Sequence, residues 1–86
     1  MNTEGPYEHR PTAVVYDLFT EASSRLIGEY THRSDQAVTD EDRDHWWQLA
    51  MEVRDTKLAV PAYDRSQLIE QIGTWTTEAE RLESGV

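Results

Sequence analysis

The carboxylates of Asp40, Asp42 and Asp44 occupy alternate positions, the spacing with which a calcium-binding loop begins. The loop then fails at its defining places. The sixth position, where glycine makes the sharp turn, is His45, and the twelfth, where glutamate closes the shell, is Met51. The same acids suit the first turn of a helix, whose free N–H groups favour negative charge. His9, His32 and His45 are far apart, and no two stand at the i, i+4 spacing that puts a zinc pair on one helical face. Ser23 and Ser24 sit in no nucleophile signature, and there is no glycine-rich phosphate loop. Without cysteine, disulfides and thiolate metal sites are excluded. The chain is expected to be no enzyme and to use neither a metal nor a cofactor.

The elements that carry these side chains read as helices. Residues 1–10, "MNTEGPYEHR", show no periodicity and suggest a short flexible arm, which leaves 11–86 for a single folded domain. Pro11 suits a first helical turn and Thr12 can cap it. Val15, Leu18, Phe19, Ala22, Leu26 and Tyr30 then recur at spacings of three and four, the core stripe of a first helix running to about Arg33. The stretch "SDQAVTDEDRD" breaks the pattern. Thr39 followed three residues later by Asp42 resembles a capping box and predicts a second helix from about Asp40 to Ala59, stopped where Pro61 holds Val60 extended.

In the third segment Asp64 can cap, Gln67 can reach back to it, and Tyr63 and Leu68 stand at the two staple positions. Leu68, Ile72, Trp75, Ala79 and Leu82 form its stripe, which ends near Ser84. Three amphipathic helices of roughly twenty residues with short links predict an all-α fold, an antiparallel three-helix bundle. Gly28 and Gly73 fall inside the first and third helices, where each costs about 1 kcal/mol relative to alanine. They are either tolerated defects or points of close helix approach or of a kink.

Net charge is −9 over 86 residues, with seventeen acids against eight bases. That balance disfavours direct nucleic-acid binding, which needs clustered Lys and Arg, and suits a basic partner or a basic cleft on one. Seven of the eight bases are arginine, a bias consistent with a GC-rich bacterial genome. The start has no basic segment followed by an apolar run and no later stretch approaches a membrane span, so a cytoplasmic location with no membrane contact is expected.

The adjacent indoles of Trp46 and Trp47 point about 100° apart on a helix, so one seam cannot hold both. Trp46 aligns with Leu49, Ala50, Val53 and Val60, whereas Trp47 aligns with Met51 and Leu58 on a separate flank. The first helix has a similar flank, Tyr16 with Ile27, beside its stripe. If the second helix is the central one and touches both neighbours, both of its flanks are internal. Otherwise the Trp47 flank is an exposed patch awaiting a partner.

The stretches "YDLFTEASSRLIGEYTHR" and "LAMEVRDTKLAVPAYDRSQLIEQIGTWTTEAERL", with an aromatic "AYD" junction before a capped third helix, resemble the epsilon-type antitoxins that neutralise zeta-family toxin kinases. The resemblance spans most of the chain and rests on pattern and order. It implies a proteinaceous inhibitor in tight complex with a P-loop kinase that phosphorylates UDP-N-acetylglucosamine, the inhibitor's first helix lying on the nucleotide site and blocking ATP. Tyr7, Glu8, Tyr16, Asp17 and Glu21 would then supply acids and aromatics to a lysine-bearing phosphate pocket, and the "YE" of Tyr7 and Glu8 is the local parallel near the family's N-terminus. With Trp47, Met51 and Leu58 they make up the expected partner surface, in either a heterotetramer or a homodimer. Two other readings of the same acidic helical chain remain. One is a phage-type decoy that mimics nucleic acid to occupy a basic protein. The other is a small regulatory module that self-associates through the Trp47 flank.

Overall fold

The computed structural model describes residues 10–85; Val86 and residues 1–9, which include Tyr7, Glu8, His9 and almost all of the expected arm, lie outside the described residues. The chain folds as an all-α three-helix bundle: α1 (Thr12–Gln36), α2 (Asp40–Ala59) and α3 (Arg65–Glu83). None of these helices is long and apolar enough to cross a membrane.

The two later helix starts are set by local chemistry. Thr39 caps α2 by accepting from the Asp42 N–H at 3.1 Å, and Asp64 caps α3 by accepting from the Gln67 N–H at 3.2 Å. The back-reach of Gln67 differs from the expected box. Its side-chain amide donates to the Asp64 carboxylate at 2.5 Å, because the Asp64 N–H is already given to the Pro61 carbonyl at 3.0 Å. The staple is not made either: Leu68 is fully buried, but Tyr63 is 83% exposed. The tight link that places the Arg65 N–H on the Tyr63 carbonyl turns that ring outward.

At the start of α1 the N-cap is Pro11, with no side-chain cap, and Thr12 is already inside the helix. The Thr12 hydroxyl instead accepts from Arg65 at 3.3 Å, tying the start of α1 to the start of α3. α1 also runs three residues past the expected Arg33. Ser34 is buried and its hydroxyl donates to the Arg43 carbonyl of α2 at 3.0 Å, so packing against α2 continues a full turn beyond Tyr30.

The central helix is α1, not α2. α1 packs against both neighbours, while α2 and α3 make no backbone approach to each other among the described residues. Their core is shared through α1, where Phe19 meets Trp75 at 5.1 Å between ring centroids and Tyr30 meets Trp46 at 6.0 Å. Every residue of the α3 stripe, Leu68, Ile72, Trp75, Ala79 and Leu82, is buried. On α2 only Ala50 and Val53 are buried, with Trp46, Leu49, Met51 and Val60 partly covered. Neither Gly28 nor Gly73 marks a close approach, since a Cβ added at either would meet nothing within 4 Å. Both are defects on open helix surface.

Candidate partner-binding surface

At one pole of the bundle the start of α1, the end of α2 and the 60–64 link come together. The Lys57 ammonium lies 5.9 Å from the centroid of the Tyr16 ring, and Arg65 reaches Thr12. Two large apolar side chains stand open here, Leu58 at 73% exposure and Tyr63 at 83%. Tyr16 itself is half-buried. Its ring packs 5.7 Å from that of Phe19, so contact with the core and with Lys57 takes up much of its surface. Asp17, the next residue, is exposed.

Along α2, Leu49, Glu52, Val53 and Thr56 face the space between α2 and α3. Trp47, Met51 and Leu58 lie roughly half a helical turn around from them, on the side of α2 that turns away from that space. Trp47 is 49% exposed and Met51 is partly buried against the core, so this flank is an outer edge with one half-buried anchor rather than a second internal seam. Trp46 takes the inner position, stacked on Tyr30, with the Arg33 guanidinium 5.6 Å from its ring centroid.

The residues expected to act together therefore divide. Tyr16, Asp17 and Leu58 share the pole, and Trp47 and Met51 extend the apolar edge along α2. Glu21 is exposed but turns toward α3, where it lines a shallow depression with Arg25 and Ile72. Tyr7 and Glu8 lie outside the described residues. Tyr63 joins the pole unforeseen. The only sequence signal for it was an aromatic immediately before a cap, which has two readings, a staple or an exposed anchor.

The space between α2 and α3 is a slot of about 320 Å³ floored by Leu26 and Tyr30 of α1, with Glu52 on the α2 wall and Trp75 and Glu78 on the α3 wall. The Tyr30 hydroxyl donates to Glu78 at 2.9 Å, and Arg81 donates to the same carboxylate through two N–H groups at 2.9 and 2.7 Å. Burial, and then the hydrogen bond to Glu78, push the Tyr30 phenol up to about 12. Arg81 first, opposed by burial and aided by Tyr30, holds the Glu78 carboxyl below its ordinary value. Further along, Arg33 donates to the Leu82 carbonyl at 2.7 Å, capping the last turn of α3. Arg25 grips Glu83 with both arms of its guanidinium, the Nε bond being 2.8 Å.

The histidines described here, His32 and His45, are exposed, and no group of His, Asp or Glu among the described residues is placed to hold a metal ion. In the acidic first turn of α2, Asp40 pairs with Arg43 at 2.7 Å. Comparison with protein-family models, with curated proteins and with solved structures finds no match for this chain.

Proposed function

We propose that this chain is a binding protein without catalytic activity of its own, an inhibitor of the epsilon-antitoxin kind directed at a zeta-type P-loop kinase. One observation carries the reading. Leu58 and Tyr63 are exposed beside the first turns of α1, so the helix that the resemblance assigns to the nucleotide site has an apolar anchor next to it and the acid Asp17 on it. The edge formed by Trp47 and Met51 extends that anchor along α2. The overall charge of −9, with an aromatic anchor beside Asp17, suits a basic nucleotide pocket, and occlusion needs no reacting group on the inhibitor.

The nucleic-acid decoy draws less support, because Arg25, Arg43 and Arg81 pair with Glu83, Asp40 and Glu78 and break up any continuous run of carboxylates. The test is co-expression with the product of the adjacent gene. A stable complex whose kinase no longer binds ATP or phosphorylates UDP-N-acetylglucosamine is the expected result. A neighbour without a P-loop, or two proteins that elute apart, would end the antitoxin reading.

A further inference from the structure

The slot between α2 and α3 lies on the opposite side of α2 from the Trp47 edge, and the inhibitor reading makes no use of it. Its volume of about 320 Å³ has room for a side chain rather than for a single water. Its surfaces differ in kind. Leu26, Leu49 and Val53 offer an apolar run, whereas Glu52 and Glu78 line the slot from separate helices. Among the described residues α2 and α3 are each braced on α1 and not on each other, so the width of the slot is set through the central helix.

We propose that this slot receives an arginine side chain from a protein partner. The apolar run suits the methylene stem, which is stable when covered, and the carboxylates suit the planar head with its fork of N–H donors. Glu52 carries no ion pair among the described residues, so its charge is available. Glu78 is held by one donor from Tyr30 and two from Arg81, and of the roughly four lone-pair positions of a carboxylate one is left for a further donor. The Thr74 hydroxyl donates to the Glu70 carbonyl at 3.2 Å, which leaves its oxygen free to accept from an incoming N–H. The net charge of −9 favours a basic visitor at long range.

The experiment uses the full chain, isotope-labelled, titrated with N-acetyl-arginine amide while backbone amide shifts are followed. Saturable shifts centred on Glu52, Thr56, Thr74 and Glu78 are expected, with a dissociation constant on the order of millimolar for so small a probe. N-acetyl-citrulline amide, equal in shape but uncharged, should produce none. Glu52→Gln, at an exposed position whose loss leaves the fold intact, should weaken binding at least tenfold. Shifts that run along Asp40–Asp44 without saturating, an equal response to citrulline, or an unaltered Glu52→Gln would overturn the proposal. Equal binding of N-acetyl-lysine amide would overturn the choice of a guanidinium. No outcome depends on the kinase complex, so failure here and failure of the inhibitor reading are separate events.

Discussion

Helix α3 meets α1 through five buried side chains and four polar clasps, the Arg65–Thr12 bond, the Arg25–Glu83 fork, the Tyr30–Glu78 bond and the Arg33 hold on the Leu82 carbonyl. Helix α2 meets the same helix with only Ala50 and Val53 buried, a half-covered Trp46, and Ser34 reaching the Arg43 carbonyl. One seam spends its apolar residues on the core and closes its ends with charge-assisted bonds. The other leaves Trp47 and Leu58 outside. Apolar side chains left outside the core are what the proposed partner-binding role would use. The α1–α3 pair is the more fully buried scaffold, and under the proposed function α2 would be the presenting element.

The largest effect should come from breaking the scaffold. Trp75→Ala removes a buried ring from the α1–α3 seam and should cost about 3–5 kcal/mol, a large part of the stability a domain of this size has. Trp46→Ala, at the half-exposed equivalent in the α1–α2 seam, should cost no more than about 2 kcal/mol. Urea unfolding midpoints measure both. Equal losses would mean that the two seams are energetically alike and that the contrast is only one of appearance.

Next in size is the effect of Trp47→Ala, which separates the presenting role from the packing one. Stability should change by no more than about 1 kcal/mol, since the ring is half in solvent. If the proposed kinase is the partner, affinity for it should fall at least tenfold, a loss of about 1.4 kcal/mol or more that is ordinary for an aromatic anchor. Titration calorimetry of the complex against the variant checks this. A large loss of stability with unaltered affinity would return Trp47 to the core.

A smaller test concerns the clasp inside the scaffold. Below pH 10 the Tyr30 phenol is protonated in both states, and above it the unfolded chain loses the proton while the folded one, pushed up to about 12, keeps it. The unfolded state then binds fewer protons, so stability should fall as pH rises from 10 toward 12. Tyr30→Phe should make that fall shallower, and it removes one hydrogen bond, worth about 1 kcal/mol at neutral pH. The Glu78 carboxyl has the opposite sign: its contribution is present above the ordinary value of 4.5 and is lost as pH falls through and below it. Thermal melts across both ranges, with Glu78→Gln as the acid-side control, follow the two limbs.

Much of this architecture was legible because the signals are local. Thr39 and Asp64 cap within three residues of themselves, and the α3 stripe repeats without interruption, so the bounds of α2 and α3 could be read directly. Which helix is central could not. The α2-facing side of α1 is built partly from Ser23 and Ser34, both buried, whose hydroxyls donate to the Thr20 and Arg43 carbonyls. A buried serine with a backbone partner looks the same in a sequence as an exposed one. That hid the second packed face of α1 and made α2, with its two tryptophans, appear to be the middle helix. Tyr63 was misread for a related reason. Its ring direction is set by the backbone of the 61–64 turn, which residue types alone do not specify.

The smallest predicted effects also draw the sharpest line between the seams. Gly28 and Gly73 both sit in helical backbone with open space where a Cβ would go, so alanine at either should stabilise by about 0.4–1 kcal/mol. The two sites should differ in what else they slow. Gly73 belongs to α3 alone, so Gly73→Ala should slow amide exchange in α3 and leave the local openings of α2 as they were. Gly28 lies in the helix on which both neighbours rest, so Gly28→Ala should slow exchange in α1 and, through it, in both. In the unaltered protein α2 should already exchange faster than α3. If α2 instead outlasts α3, or if Gly73→Ala protects α2 as strongly as Gly28→Ala does, the bundle opens as one unit and the division into scaffold and presenting element fails.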